Sequence, residues 1–173
     1  MKRILSLSML VVMVAVCLTG CSGGGYTKPI DAAVQITFYG NSDYLDVAFP
    51  DEFKEWYEDR YSWAIFDEYC DDWDDEYFIE EFGKDYKVTY DVKEKEKVDA
   101  ATFMLIKESL SETYDIPASD IKKAYVFDIE YTVKSSMNEY TDTDRNKYSV
   151  KIRNDWYLLD SYGSDFAFTC EIY

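Results

Sequence analysis

The sequence predicts an α+β domain in which N-terminal helices pack on an antiparallel β-sheet. Two changes of pattern carry that expectation. Up to about Phe82 the apolar residues recur with helical spacing, and from Tyr86 onward they alternate with polar ones. Helical and strand-forming residues are thus segregated along the chain, the arrangement of α+β rather than α/β proteins. A third observation shows that the chain folds despite its charge: aromatic residues make up 18% of it, far more than disordered segments carry.

Pro29 suits a first helical turn, and Ile30, Val34 and Phe38 follow at i, i+4, i+8 spacing until Gly40-Asn41 stops the helix. A short segment from Tyr44 to Phe49 leads to Pro50, which suits the start of the next helix. From Asp51 to Phe82 the pattern is helical throughout. Trp56, Trp63, Cys70 and Tyr77 recur every seven residues, with Phe66 and Trp73 between them, and form one wide apolar stripe. Tyr61-Ser62 divides this stretch, and Gly83 suits its end.

The first strand is read at Tyr86, Val88, Tyr90 and Val92, alternating with Lys87, Thr89, Asp91 and Lys93. A helix from about Lys97 to Tyr114 follows, closed off by Pro117. In the second strand, Tyr125 to Lys134, Phe127, Ile129, Tyr131 and Val133 share one face. Residues Ser135 to Asn146 read as a polar loop. Strands Tyr148 to Arg153 and Trp156 to Leu159 are joined by Asn154-Asp155, two residues that tolerate positive φ in a tight hairpin. The tail from Gly163 to Tyr173 either adds a strand or lies on the domain.

The N-terminus has the layout of an export signal. Lys2 and Arg3 precede an apolar run from Ile4 to Leu18, too short for a spanning helix, which needs about 20 residues. Leu18-Thr19-Gly20-Cys21 resembles the bacterial lipobox, and that resemblance implies cleavage before Cys21 and lipidation of its sulfur and new amino group. Acyl chains contribute about 0.8 kcal/mol per buried methylene, so several together anchor stably. Ser22-Gly23-Gly24-Gly25 then reads as a flexible tether. The expected organisation is a signal peptide over 1–20, a lipidated cysteine and tether over 21–27, and one globular domain over 28–173, held at the extracytoplasmic face of a membrane.

Removing residues 1–20 takes Lys2 and Arg3 and no acid, leaving 16 basic against 35 acidic residues and a net charge of −19. Such a surface repels phosphate backbones and anionic lipid headgroups, which argues against nucleic acid as a partner and assigns membrane contact to the lipid alone.

The order of elements, ending in the hairpin Lys151-Ile152-Arg153-Asn154-Asp155-Trp156-Tyr157-Leu158-Leu159-Asp160, resembles the NTF2-like (cystatin-like) superfamily, in particular the small NTF2-like lipoproteins of bacteria. The resemblance covers roughly residues 28–160. It implies a curved sheet wrapped around helices as a cone, often with a pocket at the open end, and in some members homodimerisation through the outer sheet face. Enzymes of that superfamily place Asp, His or Tyr in the pocket; this chain has no His, and no Asp aligns with a catalytic position.

Candidate sites are few. Phosphate loops, dinucleotide fingerprints, Gly-x-Ser-x-Gly and Cys-x-x-Cys are all missing, so no catalytic residue, cofactor or metal is expected. The acidic run Asp71, Asp72, Asp74, Asp75 and Glu76 has carboxylates enough for Ca²⁺, but Asp67, Asp71, Asp74 and Asp75 fall opposite the Trp63–Trp73 stripe, on the solvated face. Asp142 to Asn146 begins like an EF-hand loop, yet Lys147 and Arg153 stand where its glycine and closing glutamate belong. Cys70 and Cys170 have two readings, one disulfide or two buried thiols, and the apolar stripe around Cys70 favours thiols. Trp56, Trp63, Tyr131, Tyr148 and Trp156 form either an aromatic pocket for an apolar or sugar-like ligand or part of the core. The expected role is a non-catalytic binding or interaction module whose partner, protein or small molecule, the sequence does not name. A ligand-binding lipoprotein is the alternative, and an isomerase- or dehydratase-like enzyme the third reading.

Overall fold

The computed structural model describes residues 25–71 and 76–172, and within them an α+β domain. Cys21 and the leader lie outside the described residues. So do Asp72, Trp73, Asp74 and Asp75 and the side chain of Asp71, and with them most of the acidic run; Glu76 is described and exposed.

After one 3-10 turn, Gly25–Thr27, helix α1 runs Lys28–Tyr39 with Pro29 in its first turn, and it ends where Gly40 adopts the left-handed conformation (φ 58°). Ile30, Ala33, Val34 and Phe38 form one stripe of this helix and Ala32 and Ile36 another. All six are buried, and the two stripes belong to separate core clusters. Helix α1 is therefore an interior strut rather than a surface helix. Short helix α2 (Leu45–Ala48) turns the chain into α3 (Asp51–Glu58), which breaks at Tyr61-Ser62 as expected, before α4 (Ala64–Asp71) and α5 (Glu76–Phe82).

The sheet has the order β1-β2-β3-β4-β5, all antiparallel, with strands Lys87–Lys97, Ile121–Lys134, Glu139–Ile152, Asp155–Tyr162 and Asp165–Phe168. Helix α6 (Ala100–Tyr114) bridges β1 and β2. It starts three residues later than the sequence suggests: Lys97 still pairs with Tyr125, and Asp99 caps the helix by accepting the Thr102 amide at 2.8 Å. The expected polar loop from Ser135 to Asn146 is corrected too. Only four residues turn the chain, and from Glu139 on the segment is the outer half of β3, paired with β2 through contacts such as Thr132 Oγ1 to Thr141 Oγ1 at 2.9 Å. Polar residues on both faces of this half hide its strand character from any test based on alternation. The β3–β4 turn lies one residue earlier than Asn154-Asp155. Ile152 pairs with Asp155, so Arg153 and Asn154 form it, and Arg153 itself takes positive φ (51°).

Strand β4 shows how the sheet is covered. Leu158 and Leu159 point to opposite faces, and both are fully buried. Leu158 joins Ile30, Val34 and Phe127; Leu159 joins Ala124, Val150 and the α6 residues Ile106 and Leu110. Ser109 Oγ fixes α6 to β5 through Phe166, accepting its amide at 2.9 Å and donating to its carbonyl at 3.1 Å.

One charge is buried within the sheet. Lys147 is 4% exposed, and its ammonium lies 2.7 Å from Asp160 and 3.0 Å from Asp144. Burial disfavours that cation, but the hydrogen bonds it donates to Asp160 and Asp144 outweigh it and raise the lysine pKa above its ordinary value. Cys70 and Cys170 are buried thiols within one core cluster.

Candidate functional site

The expected pocket residues do not converge. Trp56 meets Tyr114 edge-on at 5.1 Å, and Trp63 and Tyr148 pack against the same cluster through Phe66 (4.8 Å) and Phe166 (5.1 Å). Tyr131 is buried in the other cluster beside Phe38, at 5.4 Å. Of the five, Trp156 lines the cleft between the start of α1, the α2–α3 corner and the β3–β4 hairpin.

That cleft has a volume of about 420 Å³. Its polar lining is Lys28, Asp46, Asp51, Glu52, Arg153 and Asp155, with Phe49, Pro50, Trp156 and Tyr157 among its walls. Pro50 caps α3 in extended conformation and places Asp51 and Glu52 in the first helical turn, where the helix N-terminus favours negative charge. From the opposite wall the left-handed backbone of Arg153 turns its side chain back across the cleft. Its guanidinium is held between Asp120, through Nε at 2.9 Å, and Glu52, through Nη2. The other Glu52 oxygen, Oε2, is buried without a hydrogen-bond partner among the described residues. Lys54 restrains the rim from outside, 2.7 Å from Asp46 and 3.6 Å from Asp51.

Tyr157 completes the wall, its ring edge-on to Phe168 at 5.9 Å. Burial, followed by the charges of Asp155, Asp51 and Glu52, pushes its phenol up to about 12, so it stays neutral and able to donate a hydrogen bond. The cleft lining thus carries four carboxylates and two cations beside an aromatic surface; Arg153 is neutralised by Glu52 and Asp120, Lys54 engages Asp46 and Asp51 from the rim, and Asp155 has no ion pair among the described residues. That arrangement suits recognition of a positively charged group. No Ser, Cys or His stands among the residues that line it. Among the described residues no group of three or more His, Cys, Asp or Glu is placed to hold a metal ion. The Asp142–Asn146 stretch lies in β3, paired with β2 through Asp144 and then bulged at Asn146, which takes positive φ (56°) and donates its amide to Asp128 at 3.0 Å.

Sequence reasoning missed Glu52, Asp51, Lys28 and Asp46, which come from segments read only as helix starts. Arg153, Asp155, Trp156 and Tyr157 fall within the hairpin that carries the family resemblance, and that clustering was the available signal. Comparison with protein-family models, curated proteins and solved structures finds no match for this chain.

Proposed function

We propose that the chain is a lipid-anchored extracytoplasmic lipoprotein whose domain is a non-catalytic binding module, and that the cleft at the β3–β4 hairpin is its ligand site. The observation that carries the ligand reading is the surplus of carboxylates in a cavity of about 420 Å³ walled by Trp156 and Tyr157. Cavities of roughly 300–1,000 Å³ suit small ligands, and a few convergent polar groups give them specificity. The ligand class is a compact cation, an amine or a guanidinium, bound by Asp46, Asp51 and Asp155 with its apolar part on Trp156. The apolar run before Cys21, ending in Leu18-Thr19-Gly20, and the glycine tether support the anchor. The succession of helices, antiparallel strands and a Trp156-bearing hairpin supports the NTF2-like assignment as part of the same reading.

Titration of the full chain in detergent with agmatine, followed by amide chemical shifts, tests the site. Shifts are expected at Asp51, Asp155 and Trp156. The Asp51→Asn and Asp155→Asn variants should each weaken binding by about tenfold, as charge-assisted hydrogen bonds contribute roughly 1.5–3 kcal/mol. Saturable agmatine binding that both variants leave intact would place the ligand elsewhere and refute this site.

A further inference from the structure

We infer that the face on which the chain enters the domain carries a lysine and aromatic patch that docks on anionic phospholipid headgroups; the inference rests on the lipid anchor at Cys21. The entry point is fixed by packing. Gly25 lies so close to Trp156 that a Cβ there would stand 3.2 Å from its Cδ1. The Tyr26 ring sits 5.6 Å from Tyr125 and 6.2 Å from Trp156, and its carbonyl accepts the Ser149 hydroxyl at 3.3 Å.

Strand register then gathers lysines around this point. Lys97 is opposite Tyr125, Lys123 is opposite Lys151, and Lys151 is opposite Trp156. Directly paired residues share a face, and so do residues two apart, so all five project from the side that receives Tyr26. Lys95 reaches over the same rings, its ammonium 4.3 Å from Tyr26 and 5.0 Å from Tyr125; that of Lys123 lies 5.5 Å from Trp156. None of these four lysines forms an ion pair among the described residues, whereas Lys54, Lys93, Lys134 and Lys147 all do. Glu96 pairs with Val126 and so belongs to the other face.

Lysines around the half-buried Tyr26 and Tyr125, with Trp156 buried beneath them, fit the membrane interface, where aromatic rings sit at headgroup depth and cations meet anionic lipid. The position fits as well. Three residues separate Cys21 from Gly25, so the four Cα–Cα steps reach at most about 14 Å and hold the patch near the lipid surface, little beyond the screening length of roughly 8–10 Å. A body whose net charge is −19 is thereby oriented, its acidic remainder turned away. This modifies the expectation that only the lipid touches the membrane.

The test inserts the full lipidated protein into preformed vesicles of phosphatidylcholine, with or without phosphatidylglycerol. A water-soluble amine-acylating reagent is applied, and modification is read lysine by lysine by peptide mass spectrometry. Lys95, Lys97, Lys123 and Lys151 should be protected severalfold on anionic vesicles only, with Lys107 and Lys134 unchanged and high salt abolishing the difference. Lys97→Gln and Lys123→Gln should each reduce the docked population by about fivefold. Equal modification on both vesicles, with Cys21 lipidated in the same digest, overturns docking and leaves the anchor standing. An unmodified Cys21 with protein washing off the vesicles overturns both.

Discussion

Lys147→Met is the substitution that most directly probes how the sheet tolerates a buried charge. Methionine keeps most of the aliphatic stem, so the loss reads the ammonium and not a cavity. The native cation is 4% exposed, and it compensates Asp144 and Asp160, whose side chains are 12% and 25% exposed. Removing one member of a fully buried pair costs about 3–5 kcal/mol; the partial exposure of Asp160 lets water take up some of that, which places the expected loss near 3 kcal/mol. At about 2–4 °C per kcal/mol for a domain of this size, the thermal midpoint should fall by roughly 6–12 °C. Urea unfolding at pH 7, followed by circular dichroism, gives the free energy directly. Adding Asp144→Asn and Asp160→Asn to the Met variant should restore most of it, because no uncompensated charge is then left. The sign with pH is also set. The folded lysine pKa lies above its ordinary value, so the ion-pair contribution is fully present below about 10.4 and is lost as pH rises through the folded value. A loss under about 1 kcal/mol in Lys147→Met, or an equal loss in the triple variant, refutes this account.

Two further outcomes follow from buried titratable groups. Burial raises the pKa of Asp31, only partly opposed by the hydrogen bond donated from Tyr90 at 2.7 Å. Its favourable contribution therefore exists below the ordinary carboxyl range and is lost as pH rises through the elevated value. Asp31→Asn, which keeps an acceptor for Tyr90, should be at least as stable as the native chain at pH 7, with the difference shrinking as pH falls toward 4; urea midpoints across that range that show the reverse trend exclude the burial argument. Burial, then the charge of Glu171 and the neighbouring Cys70, pushes the Cys170 thiol up to about 12. Alkylation at pH 8, mapped by peptide mass spectrometry, should spare Cys170 in the native protein and reach it in urea, and rapid native modification would show an accessible thiolate.

Much of the fold was legible because its signals are local. Pro29 and Gly40 bracket α1, and the alternation of Phe127, Ile129, Tyr131 and Val133 defines the buried face of β2. The outer half of β3 was not legible, because Tyr140 to Asn146 carries no apolar alternation and is a strand only through its pairing with β2. The cleft was less legible still. Glu52 and Arg153 are 101 residues apart in sequence and meet across the cleft, with Arg153 in the left-handed backbone of the hairpin turn. Of the two readings of the aromatic residues, core or pocket, the packing of Trp56, Trp63, Tyr131 and Tyr148 in and against the two core clusters agrees with the core reading.

The position of α1 has a mechanical consequence. The residues that first receive any pull from the N-terminus, Gly25 to Thr27, lead without a slack loop into a helix buried between both core clusters. If the chain is anchored at Cys21 as proposed above, tension on the N-terminus would pass directly into the interior of the domain, where Ile30 and Val34 share a buried cluster with Leu158. In that proposed arrangement the element nearest the anchor would be the one helix whose two stripes serve both core clusters, so a pull would load the core before the sheet edge.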